Sequence, residues 1–200
     1  MQYFFSSDYH FFHDKIREYE NRPFKDVETM NSEIVRRHNE RVKKDDVVFF
    51  LGDLGFYASA KKAHRGEGLP VNALTMLEQM NGKFYRIAGN HDKHSNKIYI
   101  PVFSITLKIA GLNVQLIHNP EHANLNNNLI ICGHCHGKFK TKEVLNEKGT
   151  PILIINVSVE NFDYRPITWD EIKSIWDKWL HSHPKKKVIT KCLTQLQKSK

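Results

Sequence analysis

"VVFFLGD", residues 47–53, decides the fold. Its five leading residues are all apolar, with none of the alternation of a half-solvated strand, so a strand built from them has to be buried on both faces. It then stops abruptly at Gly52-Asp53. The pattern recurs four times: "YFFSSD" (3–8) ends at Asp8, "FYRIAGN" (84–90) at Asn90, "VQLIH" (114–118) at His118, and "LIICGH" (129–134) at His134. Strands of this kind need a covering layer on each side, and their carboxyl ends are where α/β proteins gather their chemistry. The five run ends are therefore expected in one place.

Between the runs, helices are expected at about 26–43, opened by Asp26, at about 72–81, opened by Asn72 and stopped by Gly82, and at 168–180. Thr168 and Glu171 form a capping box for the last of these. Its Ile172, Ile175, Trp176, Trp179 and Leu180 share one face, as core packing requires. "FSITLKIAGLNVQLI" (103–117) reads as a hairpin turning at Ala110-Gly111, and "NEKGTPILIINVSVE" (146–160) as the edge of another turning at Lys148-Gly149. Antiparallel hairpins among α/β units imply a mixed sheet or two stacked sheets, not one doubly wound parallel sheet.

Two hundred residues, 40% of them hydrophobic, suit one well-buried domain. No apolar run approaches the length of a membrane span, and Met1 leads directly into a strand-like segment with no export signal, so a cytoplasmic protein is expected. The three cysteines cannot form a disulfide framework, which fits a reducing compartment. The formal charge is +8, but residues 181–200 contain six lysines and no acid. Subtracting those six from the 30 Lys and Arg leaves 24 against 22 Asp and Glu, so the body carries a surplus of only +2. A domain at 1–180 followed by a basic tail at 181–200, with amphipathic spacing at Val188, Ile189, Cys192, Leu193 and Leu196, is the expected organisation. The segment 57–70, "YASAKKAHRGEGLP", reads as a mobile basic loop beside the site.

The polar residues at the run ends are metal ligands by type: Asp8 and His10, Asp53, Asn90, His118, and His134 and His136. They are too many for one tetrahedral zinc, and nitrogen and oxygen donors without committed sulfur suit Mn, Fe, Zn or Ni at roughly five to six coordination. Manganese is placed first. Two adjacent ions need a bridging carboxylate, and Asp53, flanked by Gly52 and Gly55, is the natural one. Two such ions at ~3.5–4 Å hold a water between them, lower its pKa and clamp opposing oxygens of an in-line displacement at phosphorus, so hydroxide is the nucleophile. A proton must still reach the leaving oxygen. His91, next to Asn90, is placed as the general acid, with Asp92 to orient it.

Cys132 and Cys135 spell C-G-H-C, which could be a redox pair. A reactive dithiol, however, needs its first cysteine at a helix N-terminus, and Cys132 belongs to a strand. His13 follows "HFF" within reach of a substrate, and Arg165 can hold a phosphate bidentately; both are placed as substrate-binding residues. His38, His64, His94, His181 and His183 lie in polar surroundings and are expected at the surface.

D-x-H, G-D, G-N-H-D, a lone histidine after a strand, and G-H-x-H, in that order over residues 8–136, resemble the calcineurin-like metallophosphoesterases. More narrowly, "SSDYHFFH" (6–13), "NRPF" (21–24) and "NVSVENFDYRP" (156–166) resemble a group of compact bacterial and phage phosphoesterases, which carries the likeness to about residue 175. The resemblance implies a four-layer α/β/β/α sandwich of two mixed β-sheets flanked by helices. It also implies one metal on Asp8, His10, Asp53 and His136, and a second on Asp53, Asn90, His118 and His134. Members acting on protein phosphoserine continue the second motif as Asp-Arg-Gly; "GDLGFYAS" (52–59) lacks that arginine, so protein phosphatase activity is disfavoured. The expected activity is a dinuclear metal-dependent phosphodiesterase acting on a nucleotide or nucleic acid. The alternatives are a phosphomonoesterase or a metal-bound interaction module without turnover.

Overall fold

A computed structural model of the chain describes residues 1–56, 73–92 and 101–183. The 57–70 loop, Asn72, His64, His94 and the tail from Pro184 onward lie outside the described residues. Among the described residues nine strands form two sheets: β1 (Tyr3–Ser6), β2 (Val47–Leu51), β3 (Lys83–Ile87), β4 (Ser104–Ile109), β5 (Leu112–Ile117), β6 (Leu129–Cys132), β7 (Thr141–Leu145), β8 (Pro151–Asn156) and β9 (Ile167–Thr168). One sheet has the order β3-β2-β1-β9 and the other β4-β5-β6-β8-β7. Both are mixed. β1 pairs in parallel with β2, and β2 with β3, while β9 runs antiparallel to β1. In the second sheet β5, β6 and β8 are parallel, and β4 and β7 are antiparallel additions at the edges. The two hairpins turn where the sequence predicts, with Ala110, Gly111 and Gly149 all at positive φ.

Every residue of β2 is buried, as its unbroken apolar run requires. Alternate side chains go to opposite faces. Phe5, Phe49 and Leu51 meet Val114, Leu116, Leu129, Ile131, Leu153 and Ile155 between the sheets. Phe4, Val48 and Phe50 point outward, the last toward Met30 and Ile34 of the long helix α2 (Val27–Arg41), numbered after the single turn α1 (Ile16–Tyr19). On the far side of the second sheet Ile130, Ile152 and Ile154 are covered by Ala123, Leu125, Phe139 and Val144. Each buried Phe, Leu or Ile contributes roughly 1.5–3 kcal/mol relative to exposure.

Asp26 caps α2 by accepting from the Thr29 amide at 2.7 Å. The expected 72–81 helix is only one turn, α3 (Leu74–Leu77), because the chain tightens: the amides of Gln79 and Met80 bond three residues back, to Met76 and Leu77. The last helix, α4 (Trp169–Ser182), has the predicted capping box and buries Ile172, Trp176 and Leu180 in the core between the sheets. Among the described residues no helix is long and apolar enough to cross a membrane.

His38 is a correction. It is fully buried on α2, one turn after Ile34 and two after Met30, and its place on that apolar face outweighs its polar neighbours in sequence. Nε2 faces the Asn81 carbonyl at 2.8 Å and Nδ1 the Tyr9 hydroxyl at 3.0 Å. A carbonyl only accepts, so Nε2 carries the ring proton and Nδ1 accepts from Tyr9. Burial lowers the His38 pKa to about 4. The unfolded chain, with an ordinary imidazole, then binds more protons between about pH 6.5 and 4, so stability is flat above that window and falls through it as pH drops, by roughly 3 kcal/mol from this residue. Urea unfolding of the metal-free protein across that window should show a steeper decline for wild type than for His38→Gln.

Candidate metal centre

The loops leaving β1, β2, β3, β5 and β6 converge at one end of the sandwich. The first two run side by side: the Asp8 amide donates to the Gly52 carbonyl at 3.0 Å and the His10 amide to the Asp53 carbonyl at 3.1 Å. Asp8, His10, Asp53, His134 and His136 all have left-handed backbones, with φ of 60°, 52°, 58°, 70° and 45°. Non-glycine residues avoid this region, and its concentration here marks turns bent so that side chains point inward.

Asp8, His10 and His136 form one group of potential ligands; Asp53, His118 and His134 form another; in each the donor atoms lie within 4.8 Å of one another. Asp53 stands between the groups, with Oδ2 3.6 Å from His10 Nε2 and 3.3 Å from His118 Nε2. Asn90 Oδ1 is 2.9 Å from both His118 Nε2 and His134 Nδ1. All seven predicted ligand residues are thus brought together.

The residues fit divalent ions on two observations. Both ring nitrogens of His10 are buried without a hydrogen-bond partner among the described residues. His118 Nδ1 faces the Leu51 carbonyl at 2.7 Å, so it must carry the proton of the neutral ring. Its Nε2 then points a lone pair at the oxygens of Asp53 and Asn90, an arrangement that calls for a cation among them. Without an ion, a proton on His118 Nε2 takes that place. Burial would lower the His118 pKa, but the hydrogen bond to Asp53 and the charges of Asp8 and Asp53 outweigh it and push it up to about 9. Burial raises the Asp8 carboxyl, against the pull of His118 and His136. Burial alone would also raise Asp53, but the hydrogen bond and charge of His118 hold it below its ordinary value.

Asp8 is fixed by Ser7 Oγ at 2.5 Å, Ser158 Oγ at 2.8 Å and the His134 amide at 3.0 Å, all donating to Oδ2. Asn156 and Asn161 donate to the His136 carbonyl at 2.8 and 2.9 Å and hold the turn that carries it. Glu160 Oε1 lies 3.0 Å from His136 Nδ1 and accepts from Arg22 Nη2 at 2.6 Å. None of these supporting residues has a ligand's position in sequence, although "NRPF" and "NVSVEN" contain most of them.

Asp92 lies beneath the Asp53 loop. It is fully buried, and Oδ2 accepts from the Asp53 and Gly89 amides, each at 2.9 Å, and Oδ1 from the Leu54 amide at 3.2 Å. These bonds make the carboxylate an anchor of the Asp53 loop. His91 itself is exposed, donates its backbone amide to Asp53 Oδ1 at 2.8 Å and sets its ring 5.1 Å from that of His10. His13 is buried and stacked on Phe56, ring centroids 4.4 Å apart, and 5.7 Å from His10. Arg165 is exposed and paired with Asp163 at 3.5 Å, the ordinary surface ion pair, and among the described residues no contact joins it to the cluster. Among the remaining histidines His181 is exposed and His122 lies exposed in a short 3-10 turn, away from the end of β5 where His118 sits.

Cys132 is buried in β6, and burial pushes its thiol well above the ordinary range; burial raises Cys135 as well. Neither is a poised thiolate.

Residues 1–196 match the calcineurin-like phosphoesterase family. An uncharacterized protein of Methanocaldococcus jannaschii is 37% identical over 175 residues, spanning 86% of this chain and 89% of that protein. The crystal structure of a protein of unknown function from Aquifex aeolicus shares the fold, with a TM-score of 0.62 at 24% identity over 87% of this chain and 98% of that one. With its two mixed sheets, flanking helices and two His/Asp groups suited to divalent ions, the chain belongs to the calcineurin-like phosphoesterase family.

Proposed function

We propose that this protein is a dinuclear metal-dependent phosphoesterase that hydrolyses a phosphodiester of a nucleotide or short nucleic acid, with manganese as the first choice of ion. The observation that carries the reading is Asp53 Oδ2, which faces a donor of each ligand group at 3.3 and 3.6 Å. Asp8, His10, Asp53 and His136 would hold one ion, and Asp53, Asn90, His118 and His134 the other. When bound, such a pair supplies Lewis acidity toward the phosphoryl oxygens and activation of a water molecule. His91 donates the proton to the leaving oxygen: its ring is exposed beside the cluster while its backbone amide is tied to Asp53 Oδ1. His13 and Arg165 remain substrate contacts in this reading. His13 is the better placed, since its buried Nδ1, beside His10, has no hydrogen-bond partner among the described residues.

The diester preference rests on the basic side chains of residues 57–70 and on the family resemblance; a monoester preference is the rival outcome. A panel of bis-p-nitrophenyl phosphate, p-nitrophenyl phosphate, cyclic nucleotides and single-stranded RNA and DNA, with Mn²⁺ and then EDTA, separates the two. No turnover of any substrate by the fully metallated protein would instead favour an interaction module.

His91→Ala should keep its metals, because the amide that holds Asp53 is unchanged, and should lose roughly 10²–10⁴-fold in kcat on nucleotide substrates. The loss should be much smaller on bis-p-nitrophenyl phosphate, whose leaving group departs without a proton. Equal losses on both would remove His91 from the acid role.

A further inference from the structure

Glu160 and Arg22 are 138 residues apart and meet behind one half of the ligand cluster. Arg22 is fully buried at its side chain and Glu160 nearly so. The guanidinium makes several contacts at once: Nη1 donates to the Tyr9 carbonyl at 2.9 Å, Nη2 to the Asp8 carbonyl at 2.7 Å, and Nε and Nη2 to Glu160 Oε1 at 3.0 and 2.6 Å. One rigid fork thereby grips the loop that carries Asp8 and His10 and the carboxylate that contacts His136. An ionised carboxylate only accepts, so His136 Nδ1 carries the proton and Nε2 is left as the ring's ligand atom. Glu160 Oε2 is buried and lacks a hydrogen-bond partner among the described residues, a cost that a purely structural strut would have no reason to bear. The neighbouring group is supported differently: His118 leans on a neutral carbonyl, and His134 on Asn90.

We infer that Glu160, clamped by Arg22, is a positioning residue for the metal position formed by Asp8, His10 and His136, and that its loss weakens that position selectively. The inference rests on the two-ion reading above. It is tested by titrating the metal-free wild type, Glu160→Gln and Glu160→Asp with Mn²⁺ in a calorimeter, beside the melting temperature of each metal-free protein. The first variant removes the charge; the second keeps it but is too short to reach His136 and Arg22 together. Each should weaken one of two Mn²⁺ affinities by roughly 10–100-fold and leave the other unchanged, even as the loss of a full partner for buried Arg22 lowers the melting temperature. Equal weakening of both positions, weakening of neither, or a fall in both affinities that tracks a lower melting temperature would overturn it. Long-range ¹⁵N–¹H spectra of the His136 ring in metal-free protein at alkaline pH, where the ring is neutral, give an independent reading. Wild type should carry the proton on Nδ1 and Glu160→Gln should lose that preference; an unchanged tautomer sinks the inference. If wild type binds fewer than two ions, the two-ion reading fails, and the tautomer result alone decides the role of Glu160.

Discussion

Replacing Asp53 with asparagine is expected to lower hydrolysis of every substrate that wild type turns over by at least about a thousandfold, equivalent to about 4 kcal/mol of barrier, and to leave no more than one ion bound. Asp53 uses both carboxylate oxygens. Oδ1 accepts from the His91 amide at 2.8 Å, and Oδ2 faces His10 and His118 across the two ligand groups. An asparagine must put its NH₂ in one of these places. Toward His91 it opposes another donor; toward the histidines it turns a donor on the ions that Oδ2 would bridge. The loop should keep its course, because the Asp53 backbone is held separately: its amide by Asp92 and its carbonyl by the His10 amide. Manganese stoichiometry measured with kcat checks this. Two retained ions with activity within tenfold of wild type would contradict Asp53 as the bridge.

Gly89→Ala should be nearly as damaging, without touching a ligand. A β-carbon built at Gly89 would lie 2.0 Å from Asp53 Oδ1 and 2.4 Å from the Asp53 amide nitrogen. Neither atom is the free end of a flexible side chain, so the loops after β2 and β3 must part. A loss of roughly 1–3 kcal/mol of stability is expected from the forced shift, together with loss of the ion pair as Asp53 moves. Gly149→Ala is the control. It has open space around it and φ of +69°, so it bears only the left-handed penalty of roughly 1–2 kcal/mol and should retain full activity. Chemical denaturation and metal content of the two variants distinguish a local clash from a general intolerance of alanine.

That these polar residues gather in one place was legible in the sequence because most of them follow a strand whose burial is written in consecutive apolar residues. Asp8, Asp53, Asn90, His118 and His134 mark five such ends, and the parallel pairing of β1 with β2 and β5 with β6 brings those ends to the same side. Glu160 and Arg22 were not legible as partners, since nothing local relates residues so far apart. They lay only in segments whose resemblance to relatives had no mechanism attached. That Asp92 anchors the Asp53 loop was not legible, because adjacency in G-N-H-D says nothing of which backbone amides a buried carboxylate accepts from. His38 had a readable signal: Met30, Ile34 and His38 recur every four residues on α2, a spacing that points the imidazole to the same buried face.

The proposed ligand set is divided between the layers: Asp8, His10, Asp53 and Asn90 follow strands of one sheet, and His118, His134 and His136 follow strands of the other. Ions bound by that set would act as rivets through the sandwich. At a hundredfold excess over the dissociation constant a single bound ion adds about 2.7 kcal/mol to the folded state, and here that energy opposes sliding of one sheet across the other. A medium starved of metal would loosen the seam between the sheets at the same moment that it silences the chemistry.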